Sequence, residues 1–400
     1  MACDHYHRFE QDVALMAELG LNAYRFSIAW PRVQPDGSGS PNAEGLDFYR
    51  RLVDALNRHG IAPVPTLYHW DLPQALEDAG GWPNRDAAER FAEYAGIVHD
   101  ALAGEVGTWL TLNEPWCSAW LGYGSGVHAP GKTDDRLALA AHHHLLLAHG
   151  MAVEAMGDAR EVGIAVNPQP AVPATESEAD RAVARLADQH MVAFVLDPLF
   201  GRGYPADLVE HYRDVSDFGF VRDGDLETIA RPFHVLGVNY YRVHTVAAGP
   251  PADVPAGQLA GGLGAWSFAP SGVPVTAMGW PIQPHGLTDL LVRIHRDYAP
   301  ERIVVSENGA AFADAPNGDG GVHDPDRISY LDGHIAAARE AIELGVPLDG
   351  YLVWSLLDNF EWAWGYEERF GVVFVDYATQ ERTPKDSARW LSGVARANGA

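Results

Sequence analysis

Two glutamates stand at the ends of strand-like segments and could carry acid–base or nucleophilic chemistry. Glu114 lies in the run NEP (residues 113–115) and Glu307 in the run SENG (residues 306–309). Each follows apolar and β-branched residues, where a carboxylate is costly unless it is hydrogen-bonded or functional. Two carboxyl groups flanking one bond can hydrolyse a glycoside, because one protonates the leaving oxygen and the other attacks the anomeric carbon or activates water. The alternative is that each glutamate caps the following helix.

Strand-like and helical segments alternate along the whole chain. Strands are predicted at residues 21–30, 61–70, 106–115, 162–170, 235–241, 302–309 and 348–357. Helices are predicted at residues 9–19, 48–59, 86–103, 136–156, 180–194, 285–298 and 328–344. This alternation favours right-handed βαβ units and a parallel sheet. Nearly every strand ends in polar or aromatic residues, which favours a closed barrel over a doubly wound sheet with one switch point.

The predicted fold class is α/β, a (β/α)₈ TIM barrel with its first strand missing. Only seven strands are predicted, and residues 1–12 lead directly into a helix. We expect residues 1–400 to form one catalytic domain, truncated at its N-terminus. Residues 247–279 and 313–324 are predicted to be long loops on the active-site face.

Composition narrows the classes of partner. The formal net charge of -26 argues against nucleic acid and anionic membranes as partners. Two cysteines, Cys3 and Cys117, do not make a disulfide framework, and we expect a reduced cytoplasmic protein. No apolar run reaches transmembrane length.

A run of histidines invites a metal-site interpretation. His142, His143 and His144 are consecutive, with His149 one and a half turns further on. Consecutive helical residues point in different directions, so structural histidines are the preferred interpretation. Cys117 is predicted to be a small buried hydrophobe rather than a reactive thiol. No metal or cofactor is expected.

Six motifs together resemble one family. They are YRFSIAWPR (residues 24–32), YHWDLP (68–73), TLNEP (111–115), NYY (239–241), SENG (306–309) and WSLLDNFEWAWGYEERFG (354–371). In this order and spacing they resemble glycoside hydrolase family 1, from the first residues to about residue 389. The resemblance implies a retaining β-glycosidase that needs no cofactor, acting on a small β-glucoside.

The resemblance also implies catalytic roles. Glu114 resembles the general acid/base, with a raised pKa, and Glu307 the nucleophile, which stays ionised. Arg25 matches the arginine that supports this ionised state, and Tyr241 the tyrosine that hydrogen-bonds the nucleophile. Asn113 matches the asparagine that holds the sugar 2-hydroxyl. The two carboxyl groups are expected to lie about 5–5.5 Å apart, the retaining spacing.

Substrate contacts are implied at nine further positions. Trp354 is expected beneath the sugar ring, Trp116 and Trp280 on the aglycone side, and Phe370 in the pocket wall. The full set is His69, Trp70, Asn239, Trp354, Glu361, Trp362, Phe370, Trp116 and Trp280. For any single tryptophan, core packing is the alternative.

Two positions discriminate between branches of the family. Glu361 stands where the branch acting on 6-phosphorylated sugars carries serine, and a carboxylate would repel phosphate. Unphosphorylated sugars are therefore predicted. Glu114 stands where the thioglucoside-cleaving branch carries glutamine, so O-glycosides are predicted. Side activity on β-galactosides or β-fucosides is compatible with the same residues.

The chain departs from the family at its start. Family members begin with a strand whose glutamine binds sugar hydroxyls, and neither is present here. Met1 falls on a valine position of a family motif, so we expect an internal valine read as a start. This leaves two alternatives: a truncated inactive product, or a sugar-binding protein without turnover. Another (β/α)₈ glycosidase family is disfavoured by residues 354–371. A homo-oligomer is also compatible with the sequence.

Overall fold

The computed structural model describes residues 2–157, 159–318 and 320–397. The strands are β1 Ala23–Ser27, β2 Ala62–Tyr68, β3 Thr108–Asn113, β4 Glu161–Val166, β5 Ala171–Pro173, β6 Val235–Asn239, β7 His244–Ala247, β8 Ala256–Gln258, β9 Trp266–Phe268, β10 Arg302–Asn308, β11 Leu348–Val353, β12 Val373–Val375 and β13 Arg382–Pro384. The α-helices are α1 His5–Glu18, α2 Trp30–Val33, α3 Ala43–Arg58, α4 Gln74–Asp78, α5 Asp86–Leu102, α6 Asp135–Ala155, α7 Glu178–Asp188, α8 Phe194–Leu199, α9 Ala206–His211, α10 Asp225–Ile229, α11 His285–Tyr298, α12 Pro325–Glu343 and α13 Asp386–Arg396.

All seven predicted strands are present in one parallel sheet. Its order is β1-β2-β3-β4-β6-β10-β11, so the sheet follows chain order apart from β5, β7, β8 and β9. The strands are shorter than predicted at their carboxyl ends, because the polar residues there turn away into loops that face the site. The sheet is nearly closed, and the fold is a (β/α)₈ barrel to which the described residues contribute seven strands.

The helices cover the outside of this sheet through amphipathic faces. In α3, the Asn42 side chain accepts a hydrogen bond from the Glu44 amide and caps the helix. Apolar residues such as Leu52, Val53 and Leu56 then face the core. The predicted helix at residues 180–194 is divided into α7, a π-helical turn at Gln189–Ala193 and α8. None of the described helices is long and apolar enough to cross a lipid bilayer.

The sheet is open between β1 and β11, a region called the seam below. These strands are the two edges of the sheet, and a cavity of about 1000 Å³ lies between them and the helices outside. Its lining is largely apolar and includes Tyr24, Leu52, Tyr351 and Leu352. The prediction that one barrel strand is missing agrees with this open seam. Met1, on which the expectation of an internal valine depends, lies outside the described residues.

The prediction of an irregular loop at residues 247–279 was wrong in part. This stretch contains β8 and β9, which join β5 and β7 in a four-stranded sheet of order β5-β7-β9-β8. The pairing is mixed, because β7 runs parallel to β5 and antiparallel to β9. The alternation of Trp266 and Phe268 around Ser267 was the signal that sequence reasoning missed. The described part of residues 313–324 contains no helix or strand.

Candidate active site

The two glutamates lie at the carboxyl ends of β3 and β10, which are separated in the sheet by β4 and β6. Glu114 directly follows β3, with a positive φ of 46°, and Glu307 lies near the end of β10. Glu307 is paired in register with Asn239, the last residue of β6. Both carboxyl groups are buried. The parallel strands therefore bring two distant parts of the chain to one end of the barrel, as the barrel prediction required.

A continuous hydrogen-bonded network joins the two carboxyl groups. Arg25 Nη1 donates to Glu307 Oε1 at 2.5 Å, and its Nη2 donates to Asn113 Oδ1 at 2.6 Å. Asn239 Nδ2 donates to the same Asn113 oxygen at 3.0 Å and to Glu114 Oε1 at 2.7 Å. The network fixes the positions of both carboxyl groups through side chains from β1, β3, β6 and β10.

The two carboxyl groups have different electrostatic environments. Burial, together with the nearby charge of Glu307, raises the pKa of Glu114 to about 7, although hydrogen bonds from Asn239 and Cys117 act in the opposite direction. Glu307 instead accepts hydrogen bonds from two donors: the Arg25 guanidinium and the Tyr241 hydroxyl, 2.6 Å from Oε2. These contacts stabilise a charged Glu307. The two carboxyl groups thus differ: burial favours the protonated form of Glu114, whereas Glu307 accepts hydrogen bonds from a guanidinium and a phenol.

The hydrogen bonds around Asn113 determine the tautomer of His69. Because Asn113 Oδ1 accepts two hydrogen bonds, its Nδ2 is the donor to His69 Nε2 at 3.1 Å. His69 Nδ1 then carries the proton and donates to Ser27 Oγ at 2.7 Å. Burial also holds the pKa of His69 well below its usual value. A neutral imidazole of fixed orientation results.

Aromatic rings form one wall beside this network. The ring of His69 lies 5.7 Å from that of Trp354 and 6.0 Å from that of Trp362. Trp70 lies 4.7 Å from Trp362, and its Nε1 donates to the Asn113 carbonyl at 3.0 Å. Such rings offer flat apolar faces to the C–H faces of a sugar.

The glycine of SENG is required by close packing at this wall. A Cβ at Gly309 would lie 1.7 Å from the carbonyl oxygen of Trp354. Any side chain at this position would push the Trp354 segment away from the end of β10. Gly309 therefore holds the aromatic wall next to Glu307.

Glu361 is a third carboxyl group near the pair. Burial, together with the charges of Glu307 and Glu114, raises its pKa to about 8, although a hydrogen bond from Trp354 acts in the opposite direction. A group held partly protonated at neutral pH can both donate and accept hydrogen bonds with sugar hydroxyls.

The remaining predicted residues divide between two places. Trp280 lies 5.5 Å from Tyr241 and 6.3 Å from Phe370, so these three rings form a second wall next to Glu307. Trp116 is buried in the turn after Glu114, and its ring packs 5.6 Å from His190. The structure thus gives Trp116 a packing contact in the core.

Sequence reasoning missed two neighbours of the carboxyl pair. Cys117 is buried as predicted, and its Sγ lies 3.1 Å from Glu114 Oε2, where the thiol donates a hydrogen bond. Their i, i+3 spacing at a helix start was the available signal. Arg242 follows Tyr241 and lies 4.7 Å from the ring centroid of Trp280. Apart from its position next to Tyr241, no sequence pattern marked Arg242 as a residue of the site.

Each histidine of the run bonds to a different group. His142 Nε2 lies 3.1 Å from the Phe194 carbonyl, and His144 Nδ1 lies 3.0 Å from the Trp82 carbonyl. His143 Nε2 lies 2.9 Å from Asp225, and His149 Nδ1 lies 2.8 Å from Thr111. These side chains diverge, as helical geometry requires.

Comparison with known proteins agrees with the site. The family model described as glycosyl hydrolase family 1 matches residues 1–400. The chain therefore belongs to this family, the one that its six motifs resemble.

Three related proteins illustrate the similarity. β-Glucosidase A of Thermotoga maritima is 44% identical over 403 residues, covering 100% of this chain and 88% of that protein. A bifunctional β-D-glucosidase/β-D-fucosidase of Bifidobacterium breve is 45% identical, covering 98% and 87%. A solved structure of the T. maritima β-glucosidase with isofagomine lactam is 43% identical, with a TM-score of 0.94 over 100% of this chain and 88% of that one.

Proposed function

We propose that this protein is a retaining β-glucosidase that hydrolyses terminal non-reducing β-D-glucosyl residues of small glycosides. The observation that carries the proposal is the pair of buried carboxyl groups, joined by one network and set in opposite electrostatic environments. The named activities of the relatives support the choice of sugar. The B. breve relative makes β-fucosides a natural side substrate.

In the first half of the reaction, Glu307 attacks the anomeric carbon while Glu114 donates its proton to the glycosidic oxygen. The C–O bond to the aglycone breaks, the aglycone leaves as a neutral alcohol, and a glucosyl ester forms on Glu307. The raised pKa of Glu114 supplies the protonated form near neutral pH. The Arg25 and Tyr241 donors keep Glu307 ionised and oriented until attack.

In the second half, Glu114 removes a proton from water, and the water oxygen attacks the anomeric carbon. Esterification has by then removed the charge of Glu307, which is one of the causes of the raised Glu114 pKa. The pKa of Glu114 therefore falls in the intermediate, and the residue changes from acid to base. The ester bond breaks and β-glucose leaves.

The sugar lies against the aromatic wall in this proposal. Trp354 is beneath the ring, and His69 and Glu361 accept or donate hydrogen bonds to its hydroxyls. Asn113 and Asn239 lie at the carboxyl pair, and Trp70 and Trp362 close the wall. Trp116, Trp280 and Phe370 belong to the leaving-group side. The carboxyl groups are expected about 5–5.5 Å apart, which is the spacing of retaining enzymes.

The test is azide rescue with 4-nitrophenyl β-D-glucoside. Glu307→Gly should lose turnover, and azide should restore it with α-glucosyl azide as product, because azide then attacks in place of the nucleophile. Glu114→Ala should form the glucosyl enzyme and give β-glucosyl azide. Glu93→Gln, an exposed glutamate of α5, is the matched control that keeps wild-type rates.

The outcomes separate the function from its alternatives. If the two roles were reversed, the azide products would be exchanged: Glu307→Gly would give β-glucosyl azide and Glu114→Ala would give α-glucosyl azide. A folded wild-type chain that binds glucose without releasing nitrophenol would instead indicate a sugar-binding protein.

We propose further that the protein is cytoplasmic. The two free cysteines, Cys3 and Cys117, fit a reducing compartment. The charge of -26 supports a small-molecule substrate rather than a nucleic acid. A homo-oligomer stays a prediction, which light scattering of the purified chain would test.

A further inference from the structure

Arg242 lies beside Trp280, between two loops that leave the carboxyl ends of barrel strands. It follows β6 by three residues and precedes β7, while Gln169 follows β4 and precedes β5. Since β5 and β7 pair side by side, these two residues are brought together, and Arg242 Nε donates to Gln169 Oε1 at 3.4 Å. The guanidinium carbon lies 4.7 Å from the ring centroid of Trp280. Arg242, Gln169 and Trp280 are all half-buried.

Among the residues that the structure describes, the guanidinium has no anionic partner. Other buried arginines do: Arg327 pairs with Asp324 at 2.7 Å, and Arg382 pairs with Asp12 at 2.8 Å. Within the described residues, by contrast, Arg242 forms no ion pair with a carboxylate. Its Nη1 and Nη2 also donate no hydrogen bond to any described residue. A half-buried cation with free donors and no carboxylate partner among the described residues favours binding of an external anion.

Arg242 lies on the leaving-group side of the carboxyl pair. It contacts Trp280, which the family resemblance places on the leaving-group side, and the Trp280 ring lies 5.5 Å from that of Tyr241, whose hydroxyl donates to Glu307. β4, which leads to Gln169, lies between the strand of Glu114 and β6. In the proposed function Glu114 protonates the leaving oxygen, so a group on this side faces the aglycone.

The planar fork of an arginine suits one kind of ligand best. Two parallel N–H donors match the two oxygens of a carboxylate, and such charge-assisted bonds are about twice as strong as neutral ones. The stacked Trp280 ring holds the guanidinium plane and adds an apolar face for an aromatic ring. Burial also lowers the pKa of Arg242 to about 10, which leaves it charged at neutral pH.

We propose that Arg242 determines aglycone specificity by binding a carboxylate carried on the aglycone, with Trp280 stacking on the aglycone ring. The preferred substrates are β-glucosides of aromatic hydroxy acids. This inference rests on the proposed β-glucosidase function and names its substrate class. Gln169 is a positioning residue, because it holds the guanidinium through Nε and leaves the other nitrogens for the ligand.

The test compares 3-carboxyphenyl β-D-glucoside with its methyl ester. The two substrates differ in charge at one position, and leaving-group effects cancel when the ratio of their kcat/KM values is compared between variants. Arg242→Gln should lower the carboxylate-to-ester ratio by about tenfold or more, mainly through KM for the carboxylate. Arg242→Lys should give an intermediate ratio. Arg51→Gln makes the same charge change on the exposed surface of α3 and should leave the ratio unchanged.

The possible results separate this inference from the function beneath it. If the wild-type enzyme hydrolyses both substrates and Arg242→Gln leaves their ratio unchanged, the inference is overturned and the function stands. An equal loss on both substrates also overturns it, because Arg242 then binds neutral hydroxyls or supports the loop. If the folded wild-type enzyme hydrolyses neither, the proposed function fails and the inference with it. Turnover of the ester shows that each variant is folded.

Discussion

Two regions of the barrel, called the catalytic wall and the seam, differ in how the strands that carry their side chains are paired. The catalytic wall comprises Asn113, Glu114, Asn239, Tyr241 and Glu307, on or just after strands β3, β6 and β10. Each of these strands is paired on both sides. The seam lies between β1 and β11, which are each paired on one side only and border a cavity of about 1000 Å³. The polar residues of the wall are joined by hydrogen bonds through Arg25, whereas the seam is largely apolar and open.

The comparison shows that the two proposed catalytic carboxyl groups and the proposed sugar-binding groups have unequal structural support. The two carboxyl groups are held by paired strands. Arg25, however, projects from the edge strand β1, and Trp354 directly follows the edge strand β11. Both residues also line the cavity of the seam. We therefore expect substitutions in the wall to change the rate of the chemical step. Substitutions at the seam should mainly change sugar affinity and the free energy of unfolding.

Arg25 links the two regions, so Arg25→Met should have the largest effect, a loss of kcat. It removes the guanidinium, carried by the edge strand β1, that donates hydrogen bonds to Glu307 and Asn113. Loss of a preorganised cation at a reacting carboxylate should lower kcat by about 10²–10³-fold. Steady-state kinetics with 4-nitrophenyl β-D-glucoside measures it, with the exposed Arg51→Met as control. A kcat within threefold of wild type would contradict the inference that Arg25, on the edge strand β1, supports the carboxyl groups of the wall.

A pair of core truncations tests the unequal support directly. Ile303 is fully buried in β10, so Ile303→Ala should lower the free energy of unfolding by about 2–5 kcal/mol. Leu352→Ala in β11 should cost about 1 kcal/mol or less, because its side chain is half-buried and already borders a cavity. Urea unfolding of both variants gives the comparison. Equal losses would mean that the seam is as tightly packed as the wall.

Substitution of Cys117 should have the smallest effect, seen only in the pH dependence of kcat/KM. Its thiol donates to Glu114 and so favours the carboxylate, which lowers the Glu114 pKa. Cys117→Ala removes this donor and should raise that pKa. Since activity is lost as pH rises through the Glu114 pKa of about 7, the alkaline limb of kcat/KM should move up by about 0.4 pH unit. Cys117→Ser restores a donor and should return the limb; no movement in either variant would exclude the thiol as a determinant.

The sequence was sufficient for the barrel and for the arrangement of the wall. Apolar runs of strand length ending in Asn113-Glu114 or Glu307-Asn308 predict parallel strands whose carboxyl ends meet. The structure brings these residues together with Arg25, His69 and Tyr241 in direct contacts. Their catalytic roles stay predictions, because proximity establishes the arrangement and kinetics establishes the role.

Other features depend on tertiary contacts that no local pattern encodes. In the four-stranded sheet β5-β7-β9-β8, the alternation at β9 gives a weak local signal, but β8 and β9 are three residues each and their partners are set by tertiary contacts. The tautomer of His69 depends on which oxygens Asn113 already engages. The unpaired state of Arg242 is visible only when all its neighbours are known. Each of these depends on residues far apart in the chain.

The most direct test of the central claim is to trap the intermediate. The wild-type chain would be incubated with 2,4-dinitrophenyl 2-deoxy-2-fluoro-β-D-glucoside, digested, and mapped by mass spectrometry. The account predicts one fluoroglucosyl group per chain, carried by Glu307, together with loss of activity that an added glucoside acceptor restores. A label on another residue, or steady turnover with no labelled peptide and an inverted product, would contradict Glu307 as the nucleophile of a retaining enzyme.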